Sequence, residues 1–208
     1  TKNFVNHVRI SPDGTSVCAV NNASEKVILD AKTCEVKSAL KDGQKGMLIS
    51  CAWTKDSKSI FVSSSLGTNA ITDVEGGKIT ATLKVSDDHQ RHMMCHKDGF
   101  AGDKAFGVTR GGDVVIWGAL PVASPSAPAE IYSGHQMSIT SIACIGETVF
   151  STDVEGCLIA WKSPGMATRV LGTADPKDNR LFHKGSIVSA TVSEGHLVTV
   201  GNDTMVRT

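Results

Sequence analysis

No sign of charge dominates this sequence. Its 21 basic residues are matched by 21 acidic ones. A balanced chain lacks the clustered Lys and Arg that nucleic acid or an anionic membrane surface would select, so neither is expected as a partner. No apolar run approaches the roughly 20 residues that a membrane-crossing helix needs, and no signal-like segment opens the chain at residue 1. The six cysteines, Cys18, Cys34, Cys51, Cys95, Cys144 and Cys157, include no C-x-x-C pair. Several stand inside apolar runs, where a free thiol acts as a small hydrophobe. A reducing compartment, the cytoplasm, is therefore expected. Sustained helical spacing is also missing. The prolines, at 12, 121, 125, 128, 164 and 176, all read as turn or connector residues.

What the chain does have is a repeat. Residues 4–20 read FVNHVRISPDGTSVCAV, and residues 47–64 again run an apolar stretch, a polar turn centred on Asp, and a second apolar stretch. Asp13, Asp56 and Asp98 are spaced by 43 and 42 positions. A second signal follows each turn, in VILD, AITD, VIWG, IAWK and MVRT. These runs end at 30, 73, 118, 162 and 208, spaced 43, 45, 44 and 46. A period of about 40–45 residues is that of propeller blades.

Each unit has the chemistry of strands. SVCAV, SIFVSSS, KAFGVT, TVFST and HLVTV are short, rich in Val, Ile, Phe and Thr, and bounded by Asp, Asn, Gly and Ser. In the first unit the inner strand holds Val8 and Ile10. The turn Ser11-Pro12-Asp13-Gly14 follows, with Pro setting φ and Gly taking positive φ. Strands are predicted over 16–20, 27–29 and 35–40. A four-stranded antiparallel sheet cannot bury both faces alone; stacked around an axis, such sheets give a propeller. The fold class is thus all-β, a β-propeller of four-stranded antiparallel blades, with about four and a half blades here. The fifth unit stops at Thr208 before its outer strand, so the chain reads as part of a longer repeat protein. A four-bladed ring with strand exchange at its seam is the alternative.

The units resemble WD40 repeats. The fourth carries Gly134-His135, Ser151, Glu155 in the acidic position and Trp161, with Lys162 in place of the usual Asp. Unit three keeps Trp117, and units one and two keep Asp30 and Asp73. The resemblance implies that His135, Ser151, Glu155 and Trp161 form a hydrogen-bonded network that stiffens the blade. A narrower likeness is to the actin-interacting protein 1 family. It is carried by Phe4–Gly14 (FVNHVRISPDG), Ser50–Ser57 (SCAWTKDS), Ser133–Ile142 (SGHQMSITSI) and Asn202–Thr208 (NDTMVRT), in that order. The middle unit, His92–Ala119, aligns by period and by its Gly111-Gly112 turn. The resemblance implies two propellers, with residues 1–125 forming the last blades of the first and 126–208 the first blades of the second. The Ala-, Pro- and Ser-rich run 119–129 would be the connector. The alternative is one incomplete propeller over 1–208, with a long loop before an outer strand at 130–132.

No catalytic constellation stands out, and no cofactor is called for. Asp87, Asp88, His89, His92, Cys95 and His96 cluster in sequence, yet they lead into an inner strand where alternate residues face opposite sides. Gly111-Gly112-Asp113 reads as a hairpin turn, and Ser63–Ser65 lacks a nucleophile elbow. The charged loop 173–184 offers Arg180 beside Leu181-Phe182 as a contact point. The stretch Thr1-Lys2-Asn3-Phe4 is the leading candidate site. Phe4 either plugs the gap between blades or forms, with Lys2, an exposed basic–aromatic hot spot. The resembled family places such a pair on its actin-facing surface; here Asn3 separates the two residues. The resemblance therefore implies a non-enzymatic regulator that binds actin filaments, cooperates with cofilin and promotes filament disassembly. The alternative is a generic WD40 scaffold or substrate-receptor module.

Overall fold

The computed structural model describes residues 3–83, 93–94, 100–101, 104–109, 111–119, 130–162, 166–171 and 183–208. Among these residues there are twenty strands and no helix. The strands form five antiparallel sheets joined in chain order.

The first sheet holds β1 (Val5–Ile10), β2 (Ser16–Asn21), β3 (Lys26–Asp30) and β4 (Val36–Leu40). The second repeats it with β5 (Leu48–Trp53), β6 (Ser59–Ser64), β7 (Asn69–Asp73) and β8 (Lys78–Leu83). The third contains β9 (Met93–Met94), β10 (Phe100–Ala101), β11 (Lys104–Thr109), β12 (Asp113–Ala119) and β13 (Glu130–Ser133). It departs from the expected four strands, because two short strands, β9 and β10, both pair with β11. The fourth runs β14 (Ile139–Ile145), β15 (Thr148–Asp153), β16 (Leu158–Lys162) and β17 (Met166–Leu171). The fifth has β18 (Ile187–Ser193), β19 (His196–Gly201) and β20 (Val206–Arg207).

The repeated Asp turn is built the same way twice. Ser11 Oγ donates to Asp13 and to the Ser16 carbonyl, and Thr15 N–H donates to Asp13. Thr54 Oγ1 likewise donates to Asp56 and to the Ser59 carbonyl, and Lys58 N–H donates to Asp56. A hydroxyl followed two residues on by Asp thus closes the turn by side-chain mimicry of backbone bonds. Gly14 takes φ 72°, as the turn requires.

Contacts divide the chain into two units. One comprises 1–107 with 116–129, the other 108–115 with 130–208. In the first unit the opposing faces of the first two sheets bury Cys18, Val20, Ile28, Leu48, Trp53 and Val62. Cys18 and Val20 alternate with less buried neighbours along β2, the period-2 pattern of a pleated sheet, whereas β5 and β6 are buried along nearly their whole length. Phe61 meets Trp117 with ring centroids 6.0 Å apart. In the second unit Tyr132 and Trp161 pack at 5.5 Å.

Candidate functional site

In the fourth sheet, three of the four expected network residues meet. His135 precedes β14, Ser151 lies within β15 and Trp161 within β16. His135 Nε2 is 2.6 Å from Ser151 Oγ, and the Trp161 indole N–H donates to the same oxygen at 2.7 Å. His135 Nδ1 is 2.8 Å from Asp153 Oδ2. Trp161 can only donate, so Ser151 Oγ accepts from it, and the Asp153 carboxylate only accepts, so the His135 Nδ1–H donates to Asp153. All four side chains are buried, and every polar atom along the chain of bonds has a partner.

The fourth expected residue, Glu155, is outside this network. Its side chain is exposed, and only its backbone N–H joins, donating to Asp153 Oδ1. Asp153 takes the acidic position instead. The fifth sheet explains why. There His183 pairs with Thr199 (2.9 Å) and with Asp203 (2.7 Å), an acid four residues after its hydroxyl. Glu155 stands four residues after Ser151, in the register of Asp203. The difference lies two residues after the hydroxyl. The fifth sheet has Gly201 there, where an added Cβ would stand 2.1 Å from His183 Nδ1. The fourth sheet has Asp153 there, and its carboxylate fills that space directly. The Gly134-His135 pair has a similar origin, because a Cβ on Gly134 would lie 2.8 Å from the Trp161 ring.

Electrostatics match this geometry. Burial pushes the Asp153 carboxyl up, but His135 and the backbone N–H groups of Cys157 and Glu155 outweigh it and hold it below the usual range. Desolvation likewise opposes Asp203, yet His183, the Lys184 N–H and Arg207 keep it far below that range. Burial, then Asp153 and Glu155, pushes the Cys157 thiol up to about 11. His135, Asp153 and Cys157 offer ligand atoms within 4.8 Å of one another. Both His135 nitrogens are already engaged, and the Cys157 thiol stays protonated at neutral pH, so the cluster is arranged as a brace. The Ser–His–Asp order of a hydrolase triad is present, but Ser151 is 0% exposed and capped by Trp161. A substrate carbonyl has no approach to it.

The first unit carries a buried feature that the sequence did not announce. Lys26 Nζ, on β3, donates to Asp42 and to Thr72 Oγ1 on β7, and Thr72 Oγ1 donates to Asp42. The Lys26 and Asp42 side chains are 0% and 3% exposed. Burial pulls the Lys26 ammonium below the ordinary lysine range, against the opposing effect of Asp42. Burial pushes Asp42 up, but the bonds from Lys26 and Thr72 outweigh it and keep the carboxylate ionised. Cys51 is inert: the Cys18 thiol and burial push its own thiol well above the usual range.

Phe4 lies at the start of β1 and is 81% exposed. It does not plug an inter-blade gap; only its carbonyl is tied down, by the Asn22 N–H at 3.1 Å. Met47, at the equivalent place before β5, and Leu66, in the β6–β7 turn, are also exposed. Ser24 Oγ donates to the Gly46 carbonyl at 2.6 Å, which ties the β2–β3 turn to the segment before β5. One rim of the first unit therefore presents a row of apolar side chains. Lys2 lies outside the described residues, as do Asp98, the 87–92 and 95–96 cluster, and Arg180 to Phe182.

No family model matches the chain. It is 29% identical over 98% of its length to the 66 kDa stress protein of Physarum polycephalum. It is 25% identical over 82% to actin-interacting protein 1 of Drosophila melanogaster, and 28% over 77% to WD repeat-containing protein 1 of Gallus gallus. The chain spans about a third of the length of these relatives, 33%, 28% and 26% respectively. Among solved structures it superposes on the Cps50 (Swd1) β-propeller domain of Myceliophteria thermophila with a TM-score of 0.75 at 14% identity. That match covers 99% of this chain and 64% of the other. The C-terminal WD40 domain of Sif2 gives 0.70 at 18%, over 96% and 53%. The chain thus has the fold of β-propeller blades like those of solved WD40 domains, and is similar over most of its length to proteins named actin-interacting protein 1 and WD repeat-containing protein 1.

Proposed function

We propose that this chain is part of a non-enzymatic, cytoplasmic regulator that binds actin filaments and acts with cofilin to promote their disassembly. Two observations support the reading: similarity to actin-interacting protein 1 over 82% of the chain, and the exposure of Phe4 just before β1, the position that the resemblance matches to that family's contact pair. Lys2, two positions earlier in the sequence, is the cation of the proposed pair. A rigid rim that prefers a cofilin-distorted filament to a straight one shifts the filament population towards the distorted state, and no bond-making chemistry is needed. Limited proteolysis is expected to cleave within 119–129, between β12 and β13, and to leave the fragments associated, because those two strands belong to one sheet.

The direct test is co-sedimentation of the full-length protein with actin filaments, with and without cofilin. Cofilin-dependent pelleting that falls at least tenfold in Phe4→Ala is expected. Absence of pelleting under both conditions removes the reading.

A further inference from the structure

The residue just before the first paired strand position is Phe4 in the first sheet, Met47 in the second, Ser138 in the fourth and Ser186 in the fifth. The backbone does the same thing at all four. Each carbonyl accepts an N–H from the turn after the second strand, given by Asn22, Ser65, Val154 and Asn202 in that order. Serine therefore suffices for the fold at this place, and blade geometry does not dictate the apolar side chains of the first unit. Yet Phe4 and Met47 are 81% and 51% exposed, and Leu66, one residue beyond Ser65, is 65% exposed. The three are held in place. A Cβ on Gly46 would stand 2.8 Å from Leu66 Cγ, so Leu66 lies against the Gly46 backbone. Met47 N–H donates to Ser65 Oγ at 3.1 Å. The β2–β3 turn links this group to Phe4, through Asn22 to Phe4 and through Ser24 to Gly46. Apolar side chains gathered in water on a fixed backbone mark a contact surface, and their ordering costs little at docking.

We propose that Met47 and Leu66 extend the Phe4 contact into one docking surface, and that this surface receives an acidic protein segment carrying an apolar side chain. Charge selects the occupant. The segment before β5 brings Lys41 and Lys45, both exposed, and neither ammonium has a partner among the described residues. The carboxylates nearby are already engaged. Asp42 is bound by Lys26 and Thr72, and Glu25 accepts from the Asn21 and Asn3 side-chain amides. The groups left to pair are thus cations, beside apolar side chains. An anionic membrane is the poorer fit, because two lysines fall short of the clusters of about 4–8 that lipid headgroups select. The proposal rests on the reading that this rim faces a protein, and adds the chemistry of the face it meets. Its test contains no actin, so the two can fail separately.

The probe is fluorescein-labelled Asp-Asp-Leu-Phe-Asp-Asp-amide, titrated into the full-length protein at low ionic strength and followed by fluorescence anisotropy. Saturable binding is expected, and the counterpart with Asn for every Asp should bind about fivefold more weakly. Met47→Ser combined with Leu66→Ala should weaken the acidic peptide about tenfold. Both changes borrow residues the fold already accepts: Ser138 stands at the first place, and Ala23 follows Asn21 by two positions as Leu66 follows Ser64. Lys45→Gln should weaken the acidic peptide about threefold and leave its Asn counterpart unaffected. Equal binding of the two peptides, or unchanged binding by the Met47→Ser, Leu66→Ala variant, overturns the proposal. So does the absence of saturable peptide binding, whether or not the protein then pellets with phosphatidylserine vesicles.

Discussion

The two units solve one problem differently. Each must fix the turn at the end of a blade's second strand, where polar groups are buried between sheets. The second unit does so with histidine bridging a hydroxyl and an acid, twice over. The first uses Asn21 Oδ1, which accepts from the Ala23 and Glu25 N–H groups, and Gln44, which donates to the Val62 and Thr68 carbonyls, and it buries the Lys26–Asp42–Thr72 ion pair between β3 and β7. In the His135 chain every buried polar group, the Asp153 carboxylate included, keeps hydrogen-bond partners on more than one side. An ion pair out of water depends entirely on its partner, since losing one member strands the other. The lesson is that register position, rather than residue identity, is what repeats along this chain.

The comparison breaks most sharply at Lys26. Lys26→Met leaves Asp42 buried and unpaired, and should lower unfolding free energy by about 3–5 kcal/mol in a denaturant titration, as removal of one member of a buried pair does. Combining it with Asp42→Leu should recover most of the loss. Next comes Gly201→Ala, which drives a methyl into the His183 ring and should cost about 1–3 kcal/mol by overpacking. The double change Asp153→Gly with Glu155→Asp would transplant the fifth sheet's arrangement into the fourth, and should be milder than Asp153→Gly alone. A full loss in both variants would refute the account given for Glu155.

Acid sharpens the comparison further. Asp153 and Asp203 both have folded values below the unfolded carboxylate value of about 3.9. The sign is that of a depressed acid: their stabilisation is complete above that value and is lost as pH falls through the lower folded values. Denaturation midpoints should therefore drop below about pH 4, and the drop should shrink in Asp153→Asn. The smallest expected effect is Glu155→Ala, within about 0.5 kcal/mol, as for an exposed side chain away from any network. A loss well beyond that would return Glu155 to the network.

Much of the fold was legible. The first unit's strands were predicted over 16–20 and 27–29 and lie at Ser16–Asn21 and Lys26–Asp30, because Ser-Pro-Asp-Gly and alternating Val, Ile and Cys are local signals. His135, Ser151 and Trp161 were also readable, since their spacing follows the repeat. Glu155 misled because spacing alone does not report whether the space two residues after Ser151 is already filled. His183 went unnoticed although it follows His135 by 48 positions, as Thr199 follows Ser151; comparing those intervals would have found it. Lys26 was not legible at all. Lysine is rarely buried, and its partners lie 16 and 46 residues away, so only the folded chain brings them together.

The Lys26 cluster has a mechanical consequence. It joins β3, the segment after β4, and β7, so it rivets consecutive blades along their height. In a repeat array whose stability is a sum of neighbour terms, such a rivet makes two blades a single rupture element. Pulling on this chain in an optical trap should release the first eighty or so residues in one step, and Lys26→Met should split that step in two.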